Sequence, residues 1–182
     1  MLQTNDFIRD GDNRYRVTIE HDEESSPPWE MQEGHGPVTE WTDRPKAPGE
    51  RVLAVSGRVH RLYNVQAAVE IARRDHWNTP PYEVVGESAS ERAVRAVDAD
   101  FRYLRDWCMD RWEYLVVRVQ LVDCIGRPMQ DHPAIQTYEE AGGIESIDPD
   151  VVEAEARSLA ASLTENLRTA GLIYRPARWE PI

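Results

Sequence analysis

Apolar and polar positions alternate over Tyr15–Glu20, with Tyr15, Val17 and Ile19 facing one way and Arg16, Thr18 and Glu20 the other. Period two over this length predicts a half-buried strand. From His21 to Gly49 the period disappears. Pro27, Pro28, Pro37, Pro45 and Pro48, with Gly34, Gly36 and Gly49, break any regular element, so residues 22–49 read as one long loop rich in prolines, glycines and acids. Alternation resumes in Arg51–Val55 and Arg58–Tyr63, on either side of the turn dipeptide Ser56-Gly57, and predicts a hairpin.

The period then lengthens. Val65, Ala68, Val69 and Ala72 recur at helical spacing behind Asn64, a preferred N-cap, and the Thr79-Pro80-Pro81 run forbids continuation. Ser88 and Glu91 have the spacing of a capping box, followed by Val94, Val97, Phe101, Leu104 and Cys108 as the expected inner stripe. Glu113–Asp123 returns to period two, with Leu115, Val117, Val119 and Leu121 on one face. Asp148-Pro149 then opens a last helix with Val152, Ala156, Leu159, Ala160, Leu163 and Leu167 as its stripe. The expected order is β-β-β-α-α-β-α: an α+β fold with a mixed or antiparallel sheet of about four strands and three helices, packed mainly on one face of the sheet.

Length adds that 182 residues fit a single domain, 1–182, with residues 1–12 expected to be flexible. The first residues hold Asp6, Asp10 and Asp12 and no apolar run, so no secretory signal is expected, and no stretch reaches membrane-spanning length. Cys108 and Cys124 accordingly read as free thiols of a reducing cytosol. No cofactor is expected.

Charge changes the functional picture more. The net charge is −12, and it is segregated: residues 1–50 and residues 139–166 each carry −7, while the rest carries +2. Direct nucleic-acid binding and attachment to an anionic membrane both need a basic face and are disfavoured. A partner protein with a basic surface is favoured.

Catalytic signatures are absent: no serine elbow, phosphate-cradling glycine loop or dinucleotide fingerprint occurs. His21, Asp22 and His35 supply imidazole and carboxylate ligands within one loop, so a small metal-dependent enzyme is the alternative reading, although their spacing fits no known ligand pattern. Gly34-His35-Gly36 puts a histidine where backbone can approach a ligand closely, or makes a tight turn with an exposed imidazole. Cys108 lies on an apolar stripe, the usual place for an inert structural cysteine. The acids Glu139, Glu140, Glu145, Asp148, Asp150, Glu153 and Glu155 crowd around the start of the last helix. They either mimic nucleic acid toward a basic groove or simply stabilise the helix terminus.

The candidate partner-binding residues are Trp29 and Trp41 as aromatic anchors in the 22–45 loop and Glu23, Glu24, Glu30, Glu33 and Glu40 as its charge. Asp150 and Glu153 form a steering patch. Each tryptophan has the alternative role of pinning the loop to its own domain.

Several short runs carry a resemblance. They are Val17-Thr18-Ile19-Glu20-His21-Asp22, Pro28-Trp29-Glu30, Gly34-His35-Gly36-Pro37-Val38 and Pro48-Gly49-Glu50-Arg51, then Ala99-Asp100-Phe101 with Leu104, Trp107-Cys108-Met109-Asp110 and Trp112. Over residues 15–123 the chain resembles a group of small accessory proteins encoded by tailed bacteriophages and prophages. The resemblance transfers no catalytic or binding residue. It implies a setting, the cytoplasm of a bacterial host, and within it a protein that binds and modulates or inhibits a host protein. Defence systems are included, as in an anti-CRISPR protein.

Overall fold

The structure is a computed structural model. It describes residues 2–82, 84–130, 136–175 and 178–181, the last stretch of chain from residue 172 as backbone only. The elements run β1 (Phe7–Asp10), β2 (Asn13–His21), α1 (Pro28–Met31), β3 (Glu50–Ser56), β4 (Val59–Asn64), α2 (Val65–Arg74) and α3 (Ala89–Cys108). They continue with β5 (Tyr114–Leu121), β6 (Tyr138–Glu145), α4 (Pro149–Thr169), β7 (Leu172–Arg175) and β8 (Arg178–Pro181). The class is α+β, and every strand pair is antiparallel. Among the described residues no helix is long and apolar enough to cross a membrane.

By their internal contacts the residues group into two compact units: Met1–Ser25 with Glu113–Ile182, and Ser26–Trp112 inserted between those segments. The hydrophobic pattern predicts one sheet of about four strands that includes the 51–63 hairpin. The four-stranded sheet exists, but its order is β1-β2-β5-β6, and the β3-β4 hairpin is a separate two-stranded sheet in the inserted unit.

In the first unit, alternation decides the packing. Tyr15 and Val17 on β2 and Val117, Val119 and Leu121 on β5 form one face, and Val152, Ala156, Ala160, Leu163 and Leu167 of α4 cover it. Small residues at Ala156 and Ala160 let the helix lie close to the sheet. The Tyr15 hydroxyl reaches Thr164 Oγ1 at 2.8 Å, which satisfies the one polar atom that Tyr15 carries into this core. The N-terminus of α4 is closed by Asp148, whose carboxylate accepts from the Asp150 amide, with Pro149 at the first helical position.

Two strands of this sheet escaped the sequence. β1 pairs with β2 from Phe7↔Arg16 to Asp10↔Asn13, so residues 7–10 of the N-terminal stretch form an edge strand; Met1 lies outside the described residues. β6, Tyr138–Glu145, contains Glu139, Glu140, Gly142 and Gly143, a composition with poor strand propensity. It pairs with β5 through a register shift between Leu115 and Val117. The irregularity is built around Asp22, whose Oδ2 accepts from the Gly143 amide at 2.8 Å. A Cβ at Gly142 would come within 2.8 Å of that same oxygen.

In the inserted unit, α2 and α3 pack on the hairpin around Leu53, Tyr63, Ala68, Ala72, Ala93, Val97, Phe101 and Leu104. Asn64 caps α2 through the Ala67 amide. The Ser88–Glu91 capping box forms in full at the start of α3, with the Ser88 amide holding the Glu91 carboxyl below its usual range. One stripe position is corrected: Val94 is 47% exposed, and Ala93, one residue earlier, takes the inner position.

Candidate functional site

The long loop belongs mostly to the inserted unit and is ordered along β4. Thr42 and His60 exchange backbone hydrogen bonds, the Thr39 amide donates to the Leu62 carbonyl, and the Asn64 amide donates to the Pro37 carbonyl. Ahead of this stretch, Pro28 opens the single turn of α1. Behind it, Glu50 accepts both Arg44 guanidinium nitrogens, at 2.8 and 2.6 Å, and the Ala47 amide at 2.8 Å, which closes the 44–50 turn.

The loop is anchored by a polar knot. Gly34 adopts φ +98°, a left-handed conformation that aims His35 inward. His35 Nδ1–H donates to Asp100 Oδ1 at 2.6 Å, while Asp100 Oδ2 accepts the Gly36 amide at 2.8 Å and the Tyr63 hydroxyl at 2.6 Å. The His35 and Asp100 side chains are only 13% and 8% exposed. Burial first, and the Asp100 charge second, push the Tyr63 phenol far above its ordinary value, which favours the donating hydroxyl. Tyr103 stacks on the imidazole, 5.6 Å between centroids and 11° between planes. His35 Nε2 is buried without a hydrogen-bond partner among the described residues. The imidazole is not the exposed one of a simple tight turn, being 13% exposed, and the backbone at Gly36 approaches Tyr63, whose ring a Cβ there would overlap.

Beside the knot, one cation stands between two indoles. The Arg61 guanidinium carbon lies 5.0 Å from the Trp29 ring centroid and 5.1 Å from that of Trp41. Its nearest carboxylate is Glu40, at 3.9 Å, and its Nη1 is buried with no hydrogen-bond partner among the described residues. Trp29 also meets Trp107 edge-on at 5.4 Å and packs against the apolar cluster of the unit. Trp41 remains 43% exposed. The two tryptophans therefore divide the roles between them: Trp29 pins the loop, and Trp41 is displayed by it.

The remaining sequence candidates fall in different places. Glu30, Glu33 and Glu40 are exposed on the inserted unit, and Glu23 and Glu24 are exposed on the first unit. Among the described residues Glu23, Glu24, Glu30 and Glu33 make no side-chain ion pair. Asp150 is exposed, whereas Glu153 pairs with Arg157 at 2.8 Å, and that guanidinium holds its carboxyl below the usual range. Much of the acid cluster around α4 is committed internally: Glu139 accepts from Ser162 and Asn166, Glu140 pairs with Arg118, and Asp148 is the cap.

The proposed metal ligands are likewise each committed. His21 pairs with Glu113 at 2.7 Å, Asp22 serves the β6 irregularity, and His35 serves the knot. Among the described residues no group of three or more histidine, cysteine or carboxylate side chains is placed to hold a metal ion. Cys108 and Cys124 are free. Burial pushes the Cys108 thiol up to about 11, against the opposing charge of Arg61, which makes it a poor nucleophile at neutral pH.

Sequence reasoning missed Asp100, Tyr63 and Arg61. A signal existed for Asp100: it shares the helix face of Val97, Phe101 and Leu104, and a carboxylate on an apolar stripe requires a buried partner. Arg61 gave none, because an arginine in a two-stranded hairpin ordinarily points into solvent. No family model matches this chain, and neither a curated protein nor a solved structure matches it.

Proposed function

We propose that this chain is a binding protein that acts by occupying a basic surface of a partner protein. The observation that carries this reading is the loop of the inserted unit. Its backbone is fixed along β4, and it presents a 43%-exposed indole at Trp41 next to an 87%-exposed carboxylate at Glu40. A surface that is already ordered loses little entropy on binding, and a displayed tryptophan beside acids suits a partner rich in arginine or lysine. The inertness of Cys108 and the structural commitments of His21, Asp22 and His35 favour occlusion over chemistry. The resemblance to phage and prophage accessory proteins makes a protein of the bacterial host the partner class, defence components included, and the host cytoplasm the compartment. The internal pairing of the α4 acids favours the loop over nucleic-acid mimicry as the means of recognition.

Affinity capture from a bacterial host lysate tests this. The expected result is a stoichiometric partner with a basic surface, released as salt rises and not retained by a Glu40→Gln/Trp41→Ala chain. Recovery of no such partner across several hosts, or equal retention by the double variant, overturns the reading.

A further inference from the structure

A cleft of about 500 Å³ opens in the inserted unit between the α1 turn and the end of α2. The volume lies in the range of small-ligand sites. Its walls have two characters. Trp29, Met31 and Ile71 supply apolar surface, with Met31 44% exposed. Glu30 and Glu33 supply carboxylates that are exposed and have no ion-pair partner among the described residues. The basic residue in the wall, Arg74, is already neutralised by Asp75, with two hydrogen bonds of 2.6 and 2.7 Å, so the cleft keeps a net negative field. A third feature lies deeper. His35 lines the cleft with its imidazole mostly covered, at 13% side-chain exposure.

Carboxylates without an ion-pair partner call for a ligand that carries positive charge and donates hydrogen bonds. An apolar wall calls for a hydrocarbon stem. One common group combines both: the side chain of arginine or lysine, which lays its methylenes on apolar surface and offers only donors at its head. We propose that this cleft is the subsite for a single long basic side chain of the partner, its stem against Trp29 and Ile71 and its cationic head toward Glu30 and Glu33. This deepens the binding reading above and rests on it for the source of the side chain.

The test uses the whole chain and a defined probe. N-acetyl-arginine methylamide is titrated into isotopically labelled protein and followed by amide and indole resonances. The uncharged citrulline counterpart, nearly equal in shape, serves as control. The expected result is saturable movement of the Trp29 indole and of the Gly34 and His35 amides by the arginine probe, with a dissociation constant on the order of 1 mM for so small a ligand. Citrulline should leave them in place, and a Glu30→Gln/Glu33→Gln chain should bind the arginine probe about tenfold more weakly. Equal movement by citrulline, no movement by arginine, or unaltered affinity of the double variant overturns the proposal. The two readings fail separately. A chain that retains a salt-sensitive basic partner equally well with and without Glu30 and Glu33 loses the subsite and keeps the binding function. An arginine probe that saturates the cleft of a chain retaining no such partner does the reverse.

Discussion

His35 and Asp100, 65 residues apart in sequence, meet with Nδ1 and Oδ1 separated by 2.6 Å, and their pairing fastens the loop to α3. The carboxylate accepts two further donors, the Gly36 amide and the Tyr63 hydroxyl, so one side chain on the helix fixes the loop backbone, the imidazole and the end of β4 together. Without such an acceptor, three buried donors would face one another with no counter-charge.

Removing it should therefore be severe. Asp100→Ala is expected to destabilise the inserted unit by on the order of 3 kcal/mol, since each stranded donor carries its own desolvation penalty. Asp98→Ala removes the half-exposed partner of Arg51 on the same helix and should change stability by less than about 1 kcal/mol. Denaturant unfolding of both variants checks this; equal losses would mean that the knot contributes no more than a surface ion pair.

How far this arrangement was visible in the sequence depends on which interaction decides each element. α2, α3 and α4 were legible to the residue at their starts because Asn64, Ser88 and Asp148 act locally, each on an amide within three positions. β2 and β5 were legible because one covered face imposes period two. β6 was not, because Asp22, far away in sequence, holds its Gly142-Gly143 kink. The partition into two units was not, because nothing in Arg51–Tyr63 tells which edge its hairpin will join. Of the site, the acids and tryptophans were read as chemical types. Their division into a pinning Trp29 and a displayed Trp41 depends on Arg61, whose position between the rings is a tertiary fact.

Acid should loosen the 44–50 turn. The Arg44 guanidinium, and after it the Ala47 amide, hold the Glu50 carboxyl down to about 2 from an ordinary 4.5. A carboxyl whose folded pKa lies below its unfolded one binds protons more readily in the unfolded chain, so stability rises with pH across that interval. The contribution is complete above about 4.5 and is lost as pH falls toward about 2. Melting temperatures measured down this range should fall, and Glu50→Gln should flatten part of the fall while lowering the melting temperature near neutrality. A variant with an unchanged acid slope would show that Arg44 and Glu50 do not stay paired in solution.

The two thiols should differ in reactivity. Cys124 is exposed, whereas Cys108 is partly covered and its thiol is raised to about 11. The thiolate is the species that alkylates, so at neutral pH iodoacetamide should label Cys124 first and Cys108 only slowly. In denaturant Cys108 should become as reactive as an ordinary cysteine. Mass spectrometry of timed samples reads this directly, and fast native labelling of Cys108 would show that its end of α3 opens.

Trp29 and Trp41 share one guanidinium but not one role, and single substitutions should separate them. Trp29 meets Trp107 edge-on and packs against the apolar cluster, so Trp29→Ala leaves a cavity there and strands Arg61 on one side. A loss of about 3 kcal/mol is expected, at the low end for deleting a large aromatic because the residue is only partly buried. Trp41→Ala removes one exposed cation–π contact, worth about 0.5–1 kcal/mol, and should leave the fold otherwise intact. Arg61→Met keeps an apolar body between the rings and removes the charge, so it should be tolerated better than Trp29→Ala. If Trp41→Ala destabilises as much as Trp29→Ala, the exposed indole is a packing residue, and the loop loses its claim to be the surface that meets a partner. If Trp41→Ala keeps its melting temperature within a few degrees while a captured partner dissociates faster, the indole acts as an anchor across an interface, where truncation of a central aromatic shows chiefly in the off-rate.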